Sequence, residues 1–232
     1  MNKVVRQEKK FLIGTEESYS LNNYLSKMLI EDKHNGSKGY IVRSLYFDTL
    51  FDKDFRDKED GIELRRKIRL RIYNPDDDFA VLEMKQKEGA YQLKRSLKIT
   101  RDEAQELTKR NYGVLLNHKE DFAKECYGLM NMQCYLPKTI VQYNRKAFIA
   151  KENNIRITFD SNIIATETCF DIFSKNLNMY PVFNKDNTVL EIKYNGFLLG
   201  YIKDMLENVQ KSEVSVSKYC LARTVSLKYL YV

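Results

Sequence analysis

Three strand-like segments of this chain place a glutamate two residues before a lysine. They are "RQEKK" with Glu8 and Lys10, "VLEMKQK" with Glu83 and Lys85, and "VLEIKYN" with Glu191 and Lys193. A fourth, "KIRLRIY" (67–73), sets Lys67, Arg69, Arg71 and Tyr73 at alternate positions, with Ile68, Leu70 and Ile72 between them. In a β-strand successive side chains point to opposite faces, so a spacing of two gathers these groups on one face. "QLKRSL" adds Lys94, Ser96 and Lys98, "QYNRKAF" pairs Tyr143 with Arg145, and "NIRITFD" sets Arg156, Thr158 and Asp160 together. Arginine offers a planar fork that matches phosphate oxygens, and lysine a point charge. The carboxylates Glu8, Glu83 and Glu191 suit a hard divalent cation, Mg2+ or Mn2+, shared with substrate phosphates. Cations, acids and a metal together are the parts needed for phosphoryl transfer, where positioning and charge stabilisation do most of the work.

Alternating segments supply the strands that must carry these faces. They lie at 4–13, 40–48, 63–73, 79–87, 91–100, 138–150, 154–160 and 188–195. "NPDDD" (74–78), "EGA" (88–90) and "KENN" (151–154) read as hairpin joints, which make the pairing antiparallel. Helical periodicity appears at 16–32, with Tyr19, Leu21, Leu25, Met28 and Leu29 on one stripe, and at 119–131, 200–209 and 218–230. A further helix at 101–110 opens with Thr100 as cap and Glu103 three residues on. No composition break divides the chain, so one α+β domain over residues 1–232 is expected. A cationic face on a single strand reads as ordinary solvated surface. Repeated over seven strands, and filled with cations where mixed Ser, Thr and Gln would serve, it predicts an eight-stranded antiparallel barrel with flanking helices. One face would line a central tunnel and the other would pack against the helices.

The composition agrees. Thirty-nine basic against thirty-two acidic residues give a net charge of +7, which favours an anionic partner without choosing one. Hydrophobic residues at 43% and charged residues at 31% exclude a disordered chain. Cys126, Cys134, Cys169 and Cys220 are widely spaced with no CxxC pair, so reduced thiols are expected and a zinc site or disulfide framework is not. The apolar run in "MNKVVRQEKKFLI" is too short for a signal sequence, and no run is long enough to cross a bilayer. A soluble cytoplasmic protein is expected. The chain has no GxxxxGK[ST] loop, and its two histidines, His34 and His118, read as isolated surface residues rather than parts of a nucleophilic triad. The basic run "TKRNY" (108–112) reads as a solvated face. Nucleic-acid binding would need aromatics alternating with cations on an open surface, whereas a barrel turns the cations inward.

The series "EKKFLI", "LYFDT", "RLRIY", "LEMKQK", "KRSLK", "YNRKAF", "RITFD", "LEIKY" and "SVSKY" resembles the VTC domain from about residue 4 to 222. This is the catalytic module of the vacuolar transporter chaperone polyphosphate polymerases, within the CYTH-like triphosphate tunnel metalloenzymes. The resemblance implies an eight-stranded tunnel barrel that extends polyphosphate from the γ-phosphate of ATP with Mn2+ or Mg2+. It places Lys10, Arg69, Arg71, Lys85, Lys94, Arg145 and Arg156 where the family binds triphosphate and chain, with Lys193 beside them. It also places Glu191 on the metal-binding glutamate and Lys218 on the catalytic lysine, with Arg69 and Arg71 contributing to catalysis. For Glu191 the alternative is a Glu–Lys pair with Lys193 or a neighbour, and Glu8 and Glu83 either join the metal site or orient the lysines. The wider CYTH signature Glu-x-Glu-x-Lys reads "RQEKK" here, with Arg6 at its first acidic position, which fits the VTC branch. The SPX regulatory domain and membrane anchor of the yeast-type proteins are not expected in this chain. The other activities to weigh are hydrolysis of triphosphate or short polyphosphate, and non-catalytic polyphosphate binding.

Overall fold

The structure is a computed structural model that describes residues 6–89, 91–207 and 213–229. Its elements in chain order begin with β1 (Arg6–Ile13), α1 (Thr15–Met28), β2 (Ile30–Glu31), β3 (Tyr40–Thr49), α2 (Lys53–Glu59), β4 (Leu64–Ile72) and β5 (Phe79–Glu88). They continue with β6 (Tyr91–Thr100), α3 (Arg101–Thr108), α4 (Asp121–Met132), β7 (Tyr135–Ala150), β8 (Ile155–Thr166) and β9 (Tyr180–Pro181). The last are β10 (Thr188–Asn195), α5 (Gly200–Glu207) and α6 (Lys218–Tyr229). The fold is α+β, with its long strands antiparallel wherever register is defined. Each of the eight expected strands is present; residues 4, 5, 90, 208, 209 and 230 of the expected elements lie outside the described residues.

The chain forms two compact units, and β3, β7, β8 and β9 contribute residues to both. The first comprises residues up to 41, 143–163 and 181–217. Its strand order is β1-β10-β8-β7, with β2 paired to β7. The apolar faces of β1, β8 and β10 bury Ile13, Ile157, Phe159, Leu190 and Ile192 with Leu21 and Leu25 of α1 and Ile202 and Met205 of α5. A fully buried aliphatic side chain contributes about 1.5–3 kcal/mol, so this seam alone explains why both helices form. The α1 stripe is narrower than its periodicity suggests, because Tyr19 and Met28 are 69% and 56% exposed.

The second unit comprises residues 42–142, 164–180 and those from 218. Its strand order is β7-β3-β4-β5-β6. Ile68, Leu70 and Ile72 of β4 point into a core with Leu82 and Met84 of β5, Ala104 and Leu107 of α3, and Cys126 and Met130 of α4. The alternation in "KIRLRIY" is thus resolved into one core face and one polar face, although β4 ends at Ile72 and Tyr73 is exposed. α3 starts as its sequence predicts: the Thr100 hydroxyl accepts from the Glu103 N–H, and the Glu103 carboxylate accepts from the Thr100 N–H. α2 is an addition. "KDFRDKE" has no apolar period, and its first turn is held instead by Asp48, whose carboxylate accepts from the N–H groups of Asp54 and Phe55 at 2.9 Å each. All four cysteines are free thiols. Among the described residues no helix is long and apolar enough to cross a membrane.

One glycine fixes where a charged strand runs. Gly39 has φ +79°, and a Cβ there would lie 2.3 Å from the carbonyl oxygen of Arg145. Only glycine combines that backbone with so close an approach. Gly39→Ala is expected to cost about 2 kcal/mol or more through strain and to lower the melting temperature by about 5 °C; thermal unfolding followed by circular dichroism checks this.

Candidate functional site

In the second unit, register stacks cations against cations. Lys67 lies directly opposite Lys85, and Lys85 opposite Lys94, so three lysines occupy one rung of β4-β5-β6. The same face carries Arg65, Arg69, Arg71, Lys87 and Lys98. Against these eight bases, the registered positions of that face hold one acid, Glu83. Like charges directly opposite one another destabilise a sheet, so the arrangement carries a standing electrostatic cost.

Glu83 meets part of it. The carboxylate is 4% exposed and accepts from Arg69 Nε at 2.7 Å, lies 3.7 Å from Arg71 Nη1, and pairs with Lys94. Burial pushes its carboxyl upward, but the Arg69 and Arg71 charges, with Lys94, outweigh burial and hold it at about 2. The two arginines are aimed by further partners. Arg69 Nη1 donates to the Tyr46 hydroxyl at 3.0 Å, and Arg71 Nε donates to the Ser44 hydroxyl at 3.4 Å. Tyr46 stacks on Tyr219 with ring centroids 5.2 Å apart, and the Tyr219 hydroxyl donates to Asp48 at 2.6 Å. Lys67 Nζ lies 5.8 Å from the centre of the Tyr219 ring. Lys218 is the first residue of α6, immediately before this anchored tyrosine.

The polar face of the first unit is built differently. Its rungs read Lys10–Glu191–Thr158 and Glu8–Lys193–Arg156 across β1, β10 and β8. Lys10 Nζ sits 2.6 Å from Glu8 and donates to the Val216 carbonyl at 3.2 Å, while Lys193 pairs with Glu191. Arg145 grips Asp160 with two hydrogen bonds of 2.7 Å and lies over the Tyr143 ring at 5.2 Å. Arg156 donates to Asp32 at 2.7 Å and to the Tyr40 hydroxyl at 3.1 Å. Each of these four bases therefore has a carboxylate partner. Burial opposes the charge on Arg145, yet Asp160, then Tyr143, hold it more firmly protonated than usual. At Lys193 burial prevails over Glu191 and Glu8, and its ammonium loses its proton more readily than usual.

The expected site residues thus fall into two sets. Lys10, Arg145, Arg156, Lys193, Glu8 and Glu191 share the face of the first unit, whereas Arg69, Arg71, Lys85, Lys94, Glu83 and Lys218 belong to the second. Among the described residues no three His, Cys, Asp or Glu side chains gather to hold a metal ion. Glu83 pairs with Arg69, Arg71 and Lys94. Glu8 and Glu191, hard oxygen donors at diagonal positions of adjacent strands, fit a divalent cation that takes one or two carboxylates and completes its shell from substrate phosphates. His118 is not an isolated surface residue, since its Nε2 lies 2.9 Å from Glu103.

Sequence reasoning passed over Asp32, Tyr40, Ser44, Tyr46, Asp48 and Tyr219. The alternation in "YIVRSLYFDT" carries the signal for four of them, since residues 40, 44, 46 and 48 share one face of β3. Tyr219 lies in the quoted segment "SVSKY" without a spacing that assigns it a role, and Asp32 carried no signal. They reach their partners only through the tertiary fold.

The VTC domain model matches residues 5–227. No curated protein matches the chain. A candidate adenylate cyclase from Bacillus halodurans is similar in structure, with a TM-score of 0.54, 14% identity, and coverage of 94% of this chain and 96% of that one. A candidate adenylate cyclase from Vibrio parahaemolyticus has a TM-score of 0.52 at 11% identity, covering 96% of this chain and 99% of that one. At such identities the likeness shows the shared fold.

The Glu83 cluster makes stability depend on pH in a defined direction. An unfolded glutamate titrates at about 4.3, above the folded value of about 2, so on acidification the unfolded chain takes up the proton first. The stabilisation is full above the ordinary carboxylate range and is lost as pH falls through it toward 2. Glu83→Gln is expected to be less stable by about 3 kcal/mol near neutral pH, with the gap narrowing as pH falls below about 4.3. Chemical denaturation across a pH series checks it.

Proposed function

The chain belongs to the VTC domain family, and we propose that it is a metal-dependent phosphotransferase that extends inorganic polyphosphate from the γ-phosphate of ATP. The observation that carries this reading is the rung of Lys67, Lys85 and Lys94 beside Arg69 and Arg71, where the registered positions of β4, β5 and β6 hold eight bases and one acid. Surface charge with no task would be interleaved with acids. A string of phosphates relieves the repulsion along the whole row, whereas a lone carboxylate ligand would relieve only part of it. Closure of the strands into a tunnel belongs to the same proposal and rests on the family.

In this reading Arg69 and Arg71, already aimed by Tyr46, Ser44 and Glu83, take non-bridging oxygens of the nucleotide triphosphate. Preset partners spare the guanidinium groups from reorganising as charge moves between the phosphates. Lys67, Lys85 and Lys94 hold neighbouring phosphates of ATP or of the chain. Lys10, Lys193, Arg145 and Arg156 serve the same purpose on the face of the first unit, exchanging part of their carboxylate contacts for phosphate oxygens. A terminal oxygen of the polyphosphate attacks the γ-phosphorus, the bond from that phosphorus to the β–γ bridging oxygen breaks, and ADP leaves with the electron pair. Lys218, at the start of α6, supplies positive charge toward the transferring group, a role that rests on the family resemblance. Glu8 and Glu191 would hold Mn2+ or Mg2+, which supplies neutralisation of phosphate charge when bound. The proposed setting is the cytoplasm.

Incubation of the protein with ATP and Mn2+, followed by gel and nucleotide analysis of the products, tests this. A ladder of polyphosphate is expected from the natural chain, with Arg71→Ala and Glu191→Ala each reduced by at least about 100-fold. Orthophosphate without a ladder would make the protein a hydrolase. Cyclic AMP with pyrophosphate would make it a cyclase, the activity suggested by the names of two proteins similar to it in structure. Binding of polyphosphate without turnover would make it an accessory module.

A further inference from the structure

Thr158 is the one neutral side chain on the Lys10–Glu191–Thr158 rung, and it is 2% exposed. Its hydroxyl oxygen is buried and has no hydrogen-bond partner. The charged groups around it are engaged elsewhere. Glu191, directly opposite on β10, pairs with Lys193; Arg156, two residues before it, donates to Asp32 and Tyr40; Asp160, two residues after it, accepts both hydrogen bonds from Arg145. A hydroxyl set among ion pairs, yet bonded to none of them, is costly to fold. Valine has the same branched shape, suits a strand equally and would avoid that cost. The fold therefore gains nothing from the oxygen.

We infer that the Thr158 hydroxyl donates a hydrogen bond to a phosphate oxygen of the bound triphosphate or polyphosphate, and so is a binding residue on the face of the first unit. The inference rests on the phosphate-binding reading above. An anionic oxygen is the acceptor that suits the place, because Lys193, Arg145 and Arg156 lie on the same polar face. A hydroxyl donor adds direction where those cations supply only charge.

The test compares Thr158→Val and Thr158→Ser with the natural chain in thermal unfolding and in calorimetric titration with tripolyphosphate, both with Mg2+ and with EDTA. Thr158→Val is expected to unfold at the same temperature or higher while its dissociation constant rises about tenfold. Thr158→Ser, which keeps the oxygen, is expected to bind within about twofold of the natural chain. This opposition of stability and affinity is what a purely structural threonine would not produce. Unchanged affinity in Thr158→Val overturns the inference, as does equal weakening by the serine variant, which would point to the methyl group. A loss seen only with Mg2+ also overturns it, because the oxygen would then serve the metal. Arg69→Ala is titrated in parallel. If it weakens binding while Thr158→Val does not, only this inference falls; if the natural chain binds no tripolyphosphate, the phosphate-binding reading falls with it.

Discussion

Like charges forced into register across hydrogen-bonded strands are the constraint around which the second unit is organised. The backbone ladder fixes Lys67, Lys85 and Lys94 opposite one another, and side-chain rotation can separate the ammonium groups only partly. The core fixes the register itself, because a slip of one residue would turn Ile68, Leu70 and Ile72 out of the core and the cations into it. The apolar face thereby imposes the repulsion on the polar face. What surrounds the cations follows from this: a buried carboxylate shared by Arg69, Arg71 and Lys94, two tyrosine rings packed beside Arg69 and Lys67, and an aspartate that locks the second ring.

The two polar faces resolve their charge in different ways. On the first unit Lys10, Lys193, Arg145 and Arg156 each meet a carboxylate, so its lattice is close to neutral as folded. On the second, the registered positions of β4, β5 and β6 carry eight bases and one acid. The proposed division of labour follows. The acidic groups of the first unit can accept a divalent cation alongside phosphate, and the excess charge of the second is suited to phosphate alone. Arg69 and Arg71 illustrate the cost of readiness, because their partners orient them without neutralising the rung beside them.

Period-two alternation was sufficient to read the strands, since it reflects a backbone property that no tertiary contact alters; "RITFD" and "LEIKY" lie in strands that pair as their spacing suggests. The Thr100 cap was legible for the same reason, being local. α2 was not, because the carboxylate that starts it comes from Asp48, outside the helix. Spacing also placed Glu83 with the cations correctly but could not say which partner would claim it; the answer lay in the register of β4 against β5, which sets Arg69 directly opposite. Tyr219 and Asp32 act across 171 and 124 residues of sequence, distances over which composition carries no signal. Thr158 was visible as a member of its face, but its lack of a partner is a fact of packing alone.

The central claim is that the cationic face of β4-β5-β6 is incomplete without a polyphosphate. Thermal unfolding of the natural chain with increasing tripolyphosphate, against sodium chloride at matched ionic strength, tests it most directly. A ligand that binds the folded state alone raises stability by about 2.7 kcal/mol at a hundredfold excess over its dissociation constant. The account predicts a melting temperature that climbs steadily with tripolyphosphate and stays flat in the salt control. Equal curves for the two solutes would contradict it, and would leave the row of lysines as repulsion that the fold simply bears.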